Sequence, residues 1–167
     1  MAGTNSPVKN VTLAIQAFSR PELRHVKLYL AGVKPGTYDN LPDNIIPLGF
    51  VERDEVANLL STTWCLVHPS LADSSPNIVK EARVIGVPAI VTTECGGKQY
   101  IDQGKSGFVI KPNNLEELIT AVLHITSSRE KSLKMGSHQH EYCRHLLSEQ
   151  TMIEGLKRLY NRVLETN

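Results

Sequence analysis

The sequence predicts an α/β fold: a doubly wound, mainly parallel sheet with helices on both faces. Two observations carry the prediction. Five short runs rich in Val, Ile and Leu, at 25–32, 45–51, 65–70, 88–92 and 107–111, alternate with stretches of helical periodicity, the order that βαβ units impose. Runs such as CLVHPS (65–70) are also too continuously apolar for strands with one wet face, so both faces of the sheet should be covered. A chain of 167 residues holds one domain with a sizeable core and is short for two. In such sheets ligands bind beyond the carboxyl ends of the strands.

Val11, Ala14, Ile15 and Phe18 recur at helical spacing between Pro7 and Pro21, which predicts a first helix. The alternating run HVKLYLAG (25–32) is a strand, the Pro/Gly/Asp-rich VKPGTYDNLPDN a long loop, and IIPLGFV (45–51) a second strand. RDEVANLLSTTW reads as a helix with acids in its first turn, and CLVHPS as a compact buried strand running into Pro69. Pro76 opens the next helix, Gly86 ends it, and PAIVT is the following strand. GGKQYIDQG is a short helix or turn, GFVIK a last strand, and NNLEELITAVLHI a helix capped by Asn114. From Ser128 the chain is polar and helical. Met152, Leu156, Leu159 and Val163 form one apolar stripe there, expected to pack across the outside of the domain.

Composition removes several function classes. With 18 Lys and Arg scattered among 17 Asp and Glu, the chain lacks the massed positive charge of a nucleic-acid binder. Cys65, Cys95 and Cys143 are odd in number and lack CxxC spacing, which suits a reducing cytosol better than a disulfide framework or zinc site. MAGTNSPVKN has no apolar leader and no run approaches the length of a bilayer span, so a cytoplasmic chain is expected. Gly104-Lys105-Ser106 has Gln99 where a P-loop needs glycine and precedes a strand rather than a helix, and no GxGxxG occurs. His138, His140, Glu141 and His145 do not share one helical face and read as a solvated surface, so no metal site is expected. His68 ends a strand, where it either lines a site or bonds to backbone.

The informative stretch is PSLADSSPNIVKEA (69–82). A strand ends at His68, a loop with Asp73, Ser74 and Ser75 follows, and a helix begins near Pro76. Its first N–H groups and dipole favour phosphate or diphosphate, and small serines admit a ligand close to backbone. Glu81, more than one turn in, can face the mouth and accept hydrogen bonds from hydroxyls. On spacing alone, Asp73 as a helix cap and Glu81 as a surface acid fit equally well.

The run resembles the donor motif of the GT-B glycosyltransferases of the large retaining group 1 family (family four): a strand into Pro-Ser, an acid, a small-residue loop, then Glu81-Ala82 eight positions after Asp73. The similarity continues in order over nearly the whole chain. Gly3 to Lys9-Asn10 resembles the family's glycine loop ending in lysine, and Leu48-Gly49-Phe50-Val51 the strand end near the nucleobase. Gly86-Val-Pro-Ala-Ile-Val-Thr, Gly96-Gly97 and Gly104-Lys-Ser-Gly107 follow. The resemblance implies a Rossmann-like C-terminal domain of the GT-B type, with residues 1–127 binding a nucleotide sugar and 128–167 forming a helical extension packed on the same domain. It implies that Glu81 holds the ribose hydroxyls while Ser74, Ser75, Pro76, Asn77 and Ile78 line diphosphate and sugar. Gly3, Thr4, Phe50, Val51 and His68 complete the donor site. Asp73 would contact hydroxyls of the transferred sugar, and Lys9 would neutralise the departing diphosphate. The nucleotide-diphosphate sugar is the substrate, with no further cofactor and no metal.

Three departures from the family stand out. Asp73 replaces the usual glutamate, Thr4 replaces an arginine, and the strand that should precede Gly3 is absent, so the sheet is expected to lack its first strand. The expected function is the donor-binding part of a hexosyltransferase acting on a glycan or lipid-linked acceptor in polysaccharide biosynthesis, with retention. It would be inactive without an N-terminal acceptor-binding domain or partner chain, and could associate peripherally with the inner membrane face. A nucleotide-sugar epimerase is one alternative, which the pairing of Asp73 with Glu81 disfavours. A non-catalytic nucleotide-binding or assembly module of the same fold is another, to which Thr4, Asp73 and the absent first strand lend weight.

Overall fold

The computed structural model describes residue 1 and residues 6–165. Its strands are β1 (Leu28–Ala31), β2 (Ile45–Gly49), β3 (Leu66–His68), β4 (Ala89–Thr92) and β5 (Gly107–Ile110). Its α-helices are α1 (Val11–Phe18), α2 (Arg53–Thr62), α3 (Asn77–Ile85), α4 (Leu115–Thr126), α5 (Arg129–Ser137), α6 (His140–Leu146) and α7 (Glu149–Glu165). The predicted order of strands and helices is observed. The first strand is shorter than its apolar run, because Val26 N–H bonds Leu23 C=O and spends that segment on a turn.

Every strand pair is parallel, and strand alternation sends side chains to two covered faces. Val67, Ile90 and Ile110 join α1 and α4 in one core with Leu28 and Leu30. Leu66, Ala89 and Val91 join α2 and α3 in another, with Leu60, Val79 and Ala82. Both faces are therefore buried, as the apolar runs require.

The sheet itself is divided. β1 and β2 form one hydrogen-bonded pair, and β3, β4 and β5 form a second sheet in that order. β1 and β3 face each other across a seam holding a cavity of about 630 Å³. The expectation of a sheet lacking its first strand thus takes a specific form: two half-sheets on shared cores.

Helix ends follow sequence chemistry. Asn114 caps α4 by accepting from Glu117 N–H at 3.0 Å, and Ser128 caps α5 through Lys131 N–H at 3.2 Å. Gly86 ends α3 at φ 86°, left-handed backbone that glycine adopts without strain. The tail divides into two behaviours. α5 and α6 bury Met135, Gly136 and Cys143, and Arg83 of α3, wholly buried, donates to Val87 C=O at 3.1 Å, Gly136 C=O at 3.4 Å and His138 C=O. α7 buries no side chain, and the stripe expected to cover the domain stands out in solvent, with Met152 60% exposed. An amphipathic period says that a face is apolar and does not say what meets it.

Candidate functional site

The site is built where three loops meet beyond the carboxyl ends of β3 and β4. After β3, wholly buried Ser70 donates its hydroxyl to Val8 C=O at 2.9 Å, and Leu71 N–H donates to the same carbonyl at 2.8 Å. These bonds clip the turn carrying Lys9 onto the β3 loop. Thr92, at the end of β4, donates to Ser70 C=O at 2.6 Å. Gly96 N–H donates to Asp73 C=O at 2.7 Å, and a Cβ at Gly96 would lie 1.9 Å from Ser74 C=O. Only glycine permits that approach.

These clamps bring together residues distant in sequence. Lys9 Nζ lies 2.5 Å from Asp73 Oδ2, and His68 Nε2 lies 3.1 Å from the same oxygen. Side-chain exposure rises from 1% at His68 through 14% at Asp73 to 27% at Lys9, a gradient from core to mouth. Burial pushes the Asp73 carboxyl upward, but the hydrogen bond and charge of Lys9, joined by His68, outweigh it and hold the group below its usual value. Burial pushes His68 downward against the opposing pull of Asp73, so its neutral form prevails at pH 7. A carboxylate only accepts, so Nε2 carries the proton and donates. Nδ1 is left buried without a hydrogen-bond partner among the described residues.

Of the two options open for Asp73, helix cap or site residue, the geometry excludes the first. α3 is capped by Pro76, with no side-chain cap bond, while Asp73 engages Lys9 and His68. The N–H groups of Asn77 and Ile78 meet no protein acceptor among the described residues, leaving an anion-binding helix start. Ser74, Ser75 and Asn77 are exposed beside it, Pro76 is buried and Ile78 half-buried. Glu81 is half-buried too, and no hydrogen bond or ion pair engages its carboxylate among the described residues.

Lys80 is a residue that sequence reasoning missed. Its Nζ donates to Ser75 Oγ at 2.6 Å and to Asn77 Oδ1 at 3.4 Å, which places a second cation at the helix start. A lysine near a helix N-terminus works against the dipole, and that mismatch was the available signal. Phe50 and Val51 follow β2 in the other half-sheet; Phe50 is 82% exposed, and no hydrogen bond joins either to the Asp73 cluster among the described residues. Gly3 and Thr4 lie outside the described residues.

The buried neutral histidine predicts a pH effect. With its folded pKa lowered, the unfolded chain takes the proton first as pH falls below about 6.5. His68 therefore contributes stability fully above that pH, and the contribution is lost as pH falls through the lowered value. Urea midpoints should fall from pH 7 to pH 5, and His68→Asn should flatten the decline; an unchanged slope would show that other groups govern it.

Residues 1–141 match the family of glycosyl transferases group 1. Lipopolysaccharide glucosyltransferase WaaG of Escherichia coli (strain K12) is 30% identical over 129 residues, covering 72% of this chain and 34% of that protein. The chain spans about a quarter to a third of the length of the curated relatives it matches. Among solved structures, TarM superposes with a TM-score of 0.82 at 18% identity, over 96% of this chain and 34% of its own. HepE of Anabaena in complex with UDP-glucose gives 0.77 at 19% identity, over 94% and 47%. At such identities the likeness is one of fold, the Rossmann-like α/β arrangement of GT-B enzymes.

Proposed function

We propose, since the chain belongs to the group 1 glycosyl transferases, that it is the donor-binding part of a hexosyltransferase. The observation carrying this is the convergence of Lys9, Asp73 and His68 beside the uncapped start of α3. A nucleotide-diphosphate sugar enters as substrate, with no further cofactor assigned. Its diphosphate lies along the N–H groups of Asn77 and Ile78, with Ser74, Ser75 and buried Pro76 shaping the wall. Glu81 accepts from the ribose hydroxyls, and Asp73 from hydroxyls of the transferred sugar.

Lys9 meets the negative charge that grows on the diphosphate as the glycosidic bond breaks, where a fixed cation is worth most. Lys80 adds charge at the same end. His68, donating from Nε2, orients Asp73 from below. Acceptor binding and closure over the donor belong to an N-terminal domain or partner chain, so this chain alone does not transfer sugar. The acceptor is a glycan or lipid-linked saccharide at the cytoplasmic membrane face, and transfer proceeds with retention. No helix among the described residues is long and apolar enough to cross a membrane.

Thermal unfolding with UDP, GDP, ADP and NAD, each at about 100 times its dissociation constant, tests the reading. A bound nucleotide should stabilise by roughly 2.7 kcal/mol, a shift on the order of 5–10 °C for a chain of this size. UDP comes first, because the HepE structure carries a UDP-sugar. Glu81→Ala should abolish most of the shift, since it removes the ribose acceptor and leaves the fold intact. A folded chain that responds to no nucleotide would argue against donor binding, and an undiminished shift in the variant would remove Glu81 from the site.

A further inference from the structure

We propose that Lys80 is the cation that binds the donor in its ground state, on the phosphate next to the transferred sugar. Lys9 is thereby reserved for the charge that develops as that phosphate leaves. The inference rests on the donor reading and gives its two lysines different tasks.

The division follows from what each ammonium touches at rest. Lys9 Nζ lies 2.5 Å from Asp73 Oδ2, an ion pair already made. A phosphate takes Lys9 only by competing with that carboxylate, so much of the attraction gained is offset by attraction lost. Lys80 is held differently. Its Nζ donates to Ser75 Oγ at 2.6 Å and to Asn77 Oδ1 at 3.4 Å, both neutral acceptors, and no carboxylate pairs with it among the described residues. An ammonium bonds more strongly to an anionic oxygen than to a hydroxyl or an amide, so a phosphate displaces these partners at a net gain.

Charge balance points the same way. Lys9 cancels Asp73, His68 is neutral at pH 7 because burial holds its pKa down, and Glu81 brings a negative charge one position after Lys80. Without Lys80 these side chains carry net negative charge where the donor reading places a diphosphate, and like charges repel. Glu94 and Lys98, on the loop after β4, carry one charge of each sign. Glu94 accepts from Thr93 Oγ1 at 3.1 Å and Lys98 donates to Thr93 C=O at 2.6 Å, so that pair leaves the balance as it was.

Position assigns the phosphate. On the donor reading Asp73 takes the sugar and Glu81 the ribose, and Ser75 stands two residues after Asp73 on the loop. An ammonium on Ser75 Oγ therefore sits toward the sugar end of the diphosphate. Lys80 reaches it because side chains in a helix lean toward the N-terminus, over the preceding turn. A cation at a helix start also opposes the dipole, and a bound phosphate relieves that repulsion by placing an anion between the two.

The test is calorimetric titration of the chain and of Lys80→Gln with UDP and UMP, GDP and GMP, and ADP and AMP. For the pair that binds, the variant should lose about tenfold or more in diphosphate affinity and less than about twofold in monophosphate affinity. Lys80→Arg should keep most of the affinity for the diphosphate. Lys98→Gln removes the same charge from the neighbouring loop and should cost little; an equal loss there would show that net charge governs binding, and would overturn the contact. A wild-type chain that binds none of these nucleotides removes the donor reading and this role together, whereas wild-type binding that Lys80→Gln leaves unchanged removes this role alone. In the complete transferase, Lys80→Gln should raise the donor KM about tenfold and leave turnover within about threefold; a fall in turnover at unchanged KM would overturn the division of tasks. The ligand-free variant should melt no lower than the wild type, since a cation opposing the dipole is gone. A lower melting temperature with diphosphate affinity intact would reduce Lys80 to a support of the helix start.

Discussion

Replacing Lys9 by alanine should lower the turnover of the complete transferase by about 10²–10³-fold at saturating donor, the usual cost of removing a fixed group that meets charge growing in the transition state. The geometry sharpens the expectation. Lys9 sits 2.5 Å from Asp73, on a turn held to the β3 loop by two bonds to Val8 C=O, so its ammonium is placed before any ligand arrives. Removing it also raises the Asp73 carboxyl toward its usual value, since Lys9 is the chief influence holding it down against burial. Lys9→Arg keeps the charge and should recover part of the rate, although the planar fork differs in reach from an ammonium. Steady-state kinetics on both variants separate the effects: a fall in turnover with little change in KM marks leaving-group stabilisation. A loss under threefold would move that role to Lys80 or to the helix start.

The largest effect on stability is expected at Arg83. Its guanidinium is wholly buried and donates to carbonyls of Val87, Gly136 and His138, tying α3 to the segment joining α5 and α6. Arg83→Ala leaves those acceptors unpaired and opens a cavity, a combined cost of about 3–5 kcal/mol. Chemical denaturation should show it directly, with a drop in melting temperature on the order of 10 °C. The substitution lies at the opposite end of α3 from the Pro76 cap, so nucleotide affinity in the surviving folded fraction should change little. A cost under 1 kcal/mol would mean that the contact of Gly136 with Gly86 C=O, where a Cβ would sit at 1.9 Å, holds the tail without the arginine.

The parts of this molecule legible in the sequence are those governed by local chemistry. Helical and strand periods located the strands and α1 to α4 and marked the chain from Ser128 as helical without dividing it into α5, α6 and α7; Asn114 and Gly86 marked their helix ends, and continuously apolar runs implied a sheet covered twice. In the site, Asp73 and Glu81 stood out by spacing, yet spacing left Asp73 as cap or site residue until its partners were visible. Its pairing with Lys9, 64 positions away, is tertiary, and only the ordered family motifs anticipated both residues in one pocket. His68 was ambiguous for the same reason: whether a strand-end histidine meets a backbone or a carboxylate depends on a loop folding back. The division of the sheet, the contact at Gly96 and the exposure of α7 depend on what meets what across the fold, and a single chain's periodicity carries no information about that.

The resting partnership of Lys9 with Asp73 has a kinetic corollary. A site that already holds its own counter-ion projects little field into solution, and Glu81 follows Lys80 in the chain, so cations and carboxylates alternate at the mouth. On the proposed donor reading, an incoming diphosphate would not be drawn from a distance and would compete with Asp73 for Lys9 on arrival. Capture of the donor should depend only weakly on ionic strength, in contrast to clefts that concentrate anions by long-range attraction.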